Sequence, residues 1–177
     1  MAKKRYKWLL FIAVLLLLPL FSACSSANNP AHSAQKMDEL GQSFMLDLRD
    51  TILPNREHYD VLVEKGVVVS TDDGALGLDY LYEFYQNYKD GKANTVTFQF
   101  GTKTIVIARI VYDGSSIYYY RYEYSDKPIE VSARVADSIT VTYDEQLKKT
   151  ELTLKAQKKQ LATFSFKDAV KTEPAQK

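Results

Sequence analysis

The chain has 177 residues, of which 46% are hydrophobic and 25% are charged. This composition is typical of a globular protein and excludes the collagen-like, disulfide-dense and intrinsically disordered classes. Its 23 basic and 22 acidic side chains nearly cancel, which does not fit the basic surface of most nucleic-acid-binding proteins. One cysteine excludes an internal disulfide and a multi-cysteine zinc site, and two histidines leave little material for a metal centre. We therefore predict no cofactor, no metal and no nucleic-acid partner.

The first 24 residues have the layout of an export signal. A basic start, Lys3-Lys4-Arg5, precedes an uncharged apolar run of 14 residues from Trp8 to Phe21. That run is shorter than the roughly 20 residues that a membrane-spanning helix needs, and small residues follow it, as at a signal cleavage site.

The single cysteine of the chain lies at the end of this run. Phe21-Ser22-Ala23-Cys24 resembles the lipobox of bacterial lipoproteins. The resemblance implies that a signal over residues 1–23 is removed, that the Cys24 thiol is acylated, and that the chain is anchored to the extracytoplasmic face of the cell membrane. An ionised thiol is a good nucleophile, and two acyl chains hold a protein far better than one. The alternative is a cysteine that ends an ordinary signal peptide or is simply buried.

Removal of the signal would change the net charge. Four of the 23 basic residues and no acidic residue precede Cys24, so the mature chain would carry 19 basic and 22 acidic residues, a net charge of −3. No polybasic patch for anionic lipid is expected.

The rest of the chain divides into three parts. Residues 24–35 are small and polar and predict a flexible tether after the lipidated cysteine. Residues 36–167 predict one domain, and residues 168–177 predict a polar tail.

The domain is expected to open with an amphipathic helix from Lys36 to Leu53, before Pro54. Apolar residues recur there at steps of three and four and share one helical face; they are Met37, Leu40, Phe44, Leu48 and Ile52. We expect this face to pack on the domain, with binding of a partner as the alternative.

A second helix is predicted from Leu78 to Asp90, with Gly77 as its N-cap and Gly91 just after its end. The remaining apolar segments alternate with period two or are rich in β-branched residues, which indicates strands. These segments are 67–69, 96–100, 104–112, 117–124, 129–133, 139–143, 150–155 and 161–167. The pattern predicts an α+β fold, with an antiparallel sheet meander, one helix packed on a face and the additional N-terminal helix. We expect Leu81 and Phe84 to contact the sheet.

Part of this region resembles a known family. The segments that carry the resemblance are Val67-Val68-Val69-Ser70, Leu78-Asp79-Tyr80-Leu81, Asp90-Gly91-Lys92 and Val111-Tyr112-Asp113-Gly114. Together, residues 65–124 resemble a family of small lipoproteins from spore-forming Gram-positive bacteria that is defined only as a domain of unknown function. The family supplies no catalytic residues, so the resemblance assigns none here.

Tyrosine is unusually frequent, with 13 residues. Four of them alternate along one strand and should face the same side of the sheet; they are Tyr118, Tyr120, Tyr122 and Tyr124. Tyrosine is amphipathic and common at recognition surfaces. The four rings are therefore either packed beneath the helix or form an exposed aromatic surface for a peptide, glycan or protein.

Catalytic motifs are sparse. His58 lies beside Glu57, but no nucleophile motif stands nearby, and the adjacent pair Asp72-Asp73 has the chemistry of a turn rather than of a calcium loop. We expect a non-enzymatic lipoprotein that binds a protein or glycan partner in the cell envelope. One alternative is an envelope hydrolase that uses His58 and a carboxylate not located in the sequence, and another is a purely structural or assembly lipoprotein.

Overall fold

The computed structural model describes residues 30–101, 104–124 and 131–168. The predicted signal, Cys24, the first part of the tether and nearly all of the polar tail lie outside these residues. The chain divides into two units, Met1–Lys36 and Met37–Lys177, and the packing below is that of the second unit.

Helix α1 spans Pro30–Asp47 and continues through a π-helical turn, Leu48–Ile52, and a 3-10 turn, Leu53–Asn55. It starts earlier than the predicted Lys36, so the helix includes residues 30–35. Proline suits the first position of a helix because its missing N–H would have no helical partner there.

Two further helices follow. Helix α2 spans Tyr59–Glu64, and helix α3 spans Leu78–Lys89. The predicted bounds of α3 are confirmed. Gly77 precedes it with φ +73°, and a Cβ at this position would lie 3.2 Å from the carbonyl oxygen of Val67. Glycine thus allows the chain to enter the helix close to strand β1.

The described residues contain nine strands, which form two sheets. Their bounds are β1 Val67–Thr71, β2 Gly74–Leu76, β3 Asn94–Phe100, β4 Ile105–Tyr112, β5 Ile117–Tyr124, β6 Ser132–Ala136, β7 Ser138–Asp144, β8 Lys149–Ala156 and β9 Lys159–Lys167. The first six form one sheet in the order β2-β1-β3-β4-β5-β6, and the last three form a second sheet in the order β7-β8-β9.

The α+β fold is confirmed, and the sheets refine it. Strands β3 to β6 form the expected antiparallel meander, and β7 to β9 form another. Strand β1, however, runs parallel to β3, with Val68 opposite Phe98. A parallel pair needs a long crossover connection, and the hairpin to β2 followed by α3 provides one.

One face of the six-stranded sheet packs against α3 and the second sheet. Leu81 and Phe84 of α3 are fully buried in the same cluster as Val96 and Phe98, and Phe100 packs against that cluster. The expected helix-on-sheet contact is therefore confirmed. The second sheet adds Phe164 and Phe166 from β9, whose rings lie 5.3–5.5 Å from the Phe98 ring between centroids.

The opposite face of the same sheet is covered by α1 and α2. Phe44, Leu48 and Ile52 are buried there, and Met37 and Leu40 pack at the margin, so the predicted apolar face of α1 is confirmed. The six-stranded sheet thus has one layer packed on each face, and its central strands β3 and β4 are buried on both faces.

Candidate functional site

The tyrosine stripe of β5 faces α1. Tyr118 and Tyr120 are only 2% and 0% exposed, Tyr122 is half-buried, and Tyr124 is 38% exposed. A continuous exposed aromatic surface over the four residues is therefore not formed, because α1 covers its first half. The packed alternative holds for Tyr118 and Tyr120, but the cover is the N-terminal helix and not α3.

Tyr120 joins the sheet to the start of the covering helix. Its ring lies 5.9 Å from the Phe44 ring between centroids, and its hydroxyl donates to the Met37 carbonyl oxygen at 2.7 Å. Burial, together with the nearby Tyr118 and Asp38, raises the pKa of Tyr120 above its usual range. The hydroxyl is therefore held in its neutral, hydrogen-bonding form.

Arg109 of β4 is a charged residue that lies between the sheet and α1. Its guanidinium forms an ion pair with Asp47 at 2.7 Å, donates to the Thr97 hydroxyl at 2.9 Å, and lies 4.9 Å from the centre of the Phe44 ring. Its side chain is 12% exposed. This role was not predicted from the sequence. A single charged residue within the apolar strand β4 could have indicated a buried ion pair.

A groove of about 780 Å³ runs between α1 and strand β6. Its helical wall includes Met37, Gly41 and Met45, and its strand wall includes Val131 and Ala133. The side chain of Tyr120 lies between the two walls. Most of the lining surface is apolar, which is typical of a site that binds another molecule.

Exposed apolar side chains continue this groove. Met45 is 47% exposed, and Leu46 beside it and Val135 on β6 are also exposed. Among the described strands, β6 is an edge strand that pairs with β5 alone in its sheet, and four of its five residues are exposed. Such an edge offers unpaired backbone groups to a second chain. The signal that our sequence analysis missed is the position of Met45 and Leu46, which lie off the buried face of the helix.

A second concavity, a cleft of about 540 Å³, lies between the two sheets. Strands β5 and β6 contribute Arg121 and Arg134, and β9 contributes Leu161 and Thr163. The buried Tyr119 lies at its base and packs edge-on against Phe164, with 5.9 Å between ring centroids. Tyr119 and Tyr120 lie on opposite faces of β5, and both rings are buried because the sheet has a layer on each face.

His58 lies at the surface, away from both concavities. It precedes α2, it is exposed, and its backbone N–H donates to the Asn55 carbonyl at 2.8 Å. The neighbouring Glu57 is exposed and pairs with Arg56 at 3.5 Å. His58 is not among the residues that line the groove or the cleft.

Two features are absent from the described residues. No described helix combines the length and the apolar character needed to cross a membrane. The described residues also contain no group of three or more His, Cys, Asp or Glu side chains placed to hold a metal ion.

No protein-family model matches the chain, and neither a curated protein nor a solved structure shows significant similarity to it. The resemblance of residues 65–124 to a lipoprotein family therefore stays a prediction.

Proposed function

We propose that this protein is a lipoprotein of the cell envelope, anchored to the extracytoplasmic face of the membrane through Cys24, and that its folded part binds a protein partner. The anchor is supported by the basic start, the apolar run of 14 residues and the Phe21-Ser22-Ala23-Cys24 segment. The binding role is supported by the groove between α1 and β6, and this groove is the observation that carries the proposal.

The groove favours a protein partner for two reasons. Its walls are mostly apolar, and exposed Met45 and Leu46 extend them onto the surface of α1. Methionine adapts its shape to different apolar partners. The neighbouring edge strand β6 can in addition pair with an extended segment, which is a common mode of peptide recognition.

The anchor is tested by lipid labelling. Wild-type protein expressed in a bacterial host with radioactive palmitate should take up label, and Cys24→Ala should take up none. Ser22→Ala is the control, because alanine is also a small residue and the cysteine is retained. Labelling of Cys24→Ala at the wild-type level would disprove the anchor.

The groove is tested by site-specific crosslinking in intact cells. A photoreactive benzoylphenylalanine at position 45 or 46 should give a discrete crosslinked product. The same group at Leu147, which is 65% exposed in the turn between β7 and β8, is the control and should give none. Equal products from all three positions, or none from positions 45 and 46, would reject the groove as the binding surface.

A further inference from the structure

The cleft between the two sheets carries a separate inference, which depends neither on the lipid anchor nor on the groove. Its positive charge comes from two neighbouring strands. In the register of β5 and β6, Tyr119 is opposite Arg134 and Arg121 is opposite Ser132. Arg121 and Arg134 are therefore diagonal neighbours on one sheet face, within mutual reach of long side chains.

The two arginines differ in their partners. Arg121 pairs with Glu123, two residues along the same strand. Arg134 forms no ion pair with any residue that the structure describes, and it is exposed at the rim of the cleft. Within the described part of the chain, one positive charge of the pair thus has no ion-pair partner, although the mature chain is expected to be negative overall.

The Tyr119 hydroxyl in the cleft interacts electrostatically with both arginine side chains. Burial raises the pKa of the Tyr119 hydroxyl, and the negative charge of Glu123 adds to that effect. The positive charges of Arg121 and Arg134 act to lower the same pKa. The hydroxyl therefore lies in the field of both guanidinium groups. Ser132 and Thr163 add hydroxyl groups to the walls, and the half-buried Phe100 and Leu161 add apolar surface.

These features match one class of ligand. A guanidinium binds the oxygens of a carboxylate or phosphate in a fork of two hydrogen bonds. The apolar surface of Phe100 and Leu161 is suited to a ring or short chain attached to that group. The cleft volume of about 540 Å³ is within the range of small-molecule sites.

We infer that the cleft binds a small organic oxyanion, with the carboxylate or phosphate held by Arg134 and Arg121 and the apolar part held against Phe100 and Leu161. Arg134 is the principal contact because its charge has no partner among the described residues. The Tyr119 and Ser132 hydroxyls are placed to donate to the same oxygens.

Binding is measured by calorimetric titration of the purified full-length protein in detergent, with phenyl phosphate, benzoate and inorganic phosphate as probes. Saturable binding of phenyl phosphate is expected, and benzoate distinguishes a carboxylate site from a phosphate site. Inorganic phosphate should bind roughly tenfold more weakly, because it lacks the ring that would bury apolar surface. Equal affinity for inorganic and phenyl phosphate would overturn the apolar half of the inference, and no saturable binding of any probe would overturn the whole.

The residues are tested by substitution. Arg134→Gln should weaken phenyl phosphate binding by about tenfold or more, the range typical of a charged hydrogen bond. Lys92→Gln, which removes a positive charge after α3, is the matched control and should bind as wild type. If Arg134→Gln does not fold, Arg121→Gln at an exposed position takes its place and should also weaken binding. Wild-type affinity in a folded Arg134→Gln or Arg121→Gln variant would overturn the site.

Discussion

Tyr120 illustrates how a single residue fixes one layer of this protein to another. Its ring fills the space between the sheet and Phe44, and its hydroxyl satisfies the carbonyl of Met37 at the start of the covering layer. A buried hydroxyl without a partner would cost about 1–3 kcal/mol, so this hydrogen bond makes the burial of a polar ring tolerable.

The ionisation of Tyr120 leads to a prediction about alkaline pH. The pKa of Tyr120 is raised by burial and by nearby Tyr118 and Asp38, so the unfolded chain ionises this group near pH 10 while the folded chain keeps it neutral. The stabilisation is fully present below about pH 10 and is lost as the pH rises further. The free energy of unfolding should therefore fall above about pH 10, and it should fall less in Tyr120→Phe.

Urea unfolding from about pH 8 to about pH 11 checks this expectation. At about pH 8, Tyr120→Phe should cost about 1 kcal/mol because one hydrogen bond is lost. Tyr80→Phe, at an exposed position of α3, is the control and should keep the wild-type pH dependence. An equal alkaline loss in wild type and Tyr120→Phe would contradict the prediction.

At the scale of elements, helix α1 covers one face of the six-stranded sheet. Substitutions on its buried side should therefore lower the free energy of unfolding more than substitutions on its exposed side. Phe44→Ala should cost about 3–5 kcal/mol, because a fully buried ring is lost and a cavity remains. Met45→Ala should cost less than about 1 kcal/mol, since this neighbour is largely exposed. Denaturant unfolding of the two variants measures the difference, and equal costs would mean that α1 does not pack as described.

Helix α3 on the other face supports a parallel prediction. Leu81→Ala should cost about 2–5 kcal/mol, because Leu81 is completely buried against the sheet. Glu83→Ala on the exposed side of the same helix should cost about 0.5 kcal/mol or less. Thermal unfolding of both variants checks the pair, and wild-type stability of Leu81→Ala would reject the packing of α3 on the sheet.

The elements also show what the sequence could predict and what it could not. The period of two along β5 correctly placed Tyr118 and Tyr120 on one face and Tyr119 on the other. It could not reveal the covering layers, because side-chain alternation reports which residues share a face and not what packs against it. Tyr119 is buried by Phe164 of β9, and nothing in the local pattern of β5 indicates that contact.

The same limit applies to the candidate sites. The apolar face of α1 was predictable because its apolar residues recur every three or four positions, and this pattern stops just before Pro54. The groove beside it depends on α1 lying along β6, a contact between segments almost ninety residues apart in the sequence. The parallel pairing of β1 with β3 was not predicted, because we expected an antiparallel meander throughout, although a helix between two strands is typical of a parallel crossover.

At the scale of the whole molecule, the six-stranded sheet supplies apolar side chains to two cores at once. In β4 alternate residues enter opposite cores, with Ala108 and Ile110 on the side of α3 and Ile107 on the side of α1. The three-stranded sheet depends on one of these cores, since Phe164 and Phe166 stack on Phe98. A strand that loses its packing on one face should therefore weaken the core on the other.

This arrangement predicts that the described domain unfolds as one cooperative unit. Phe44→Ala removes a side chain only from the core beneath α1, yet it should lower the hydrogen-exchange protection of the Leu152 and Leu154 amides in β8 by the full 3–5 kcal/mol or so expected for global unfolding. Met45→Ala is the control and should leave these amides protected. Native-state exchange followed by mass spectrometry or NMR gives the comparison. The contrary outcome is that the β8 amides keep their wild-type protection in Phe44→Ala while the β4 amides lose theirs. The three-stranded sheet would then be a separate folding unit, because the packing on Phe98 would be too weak to link the two cores.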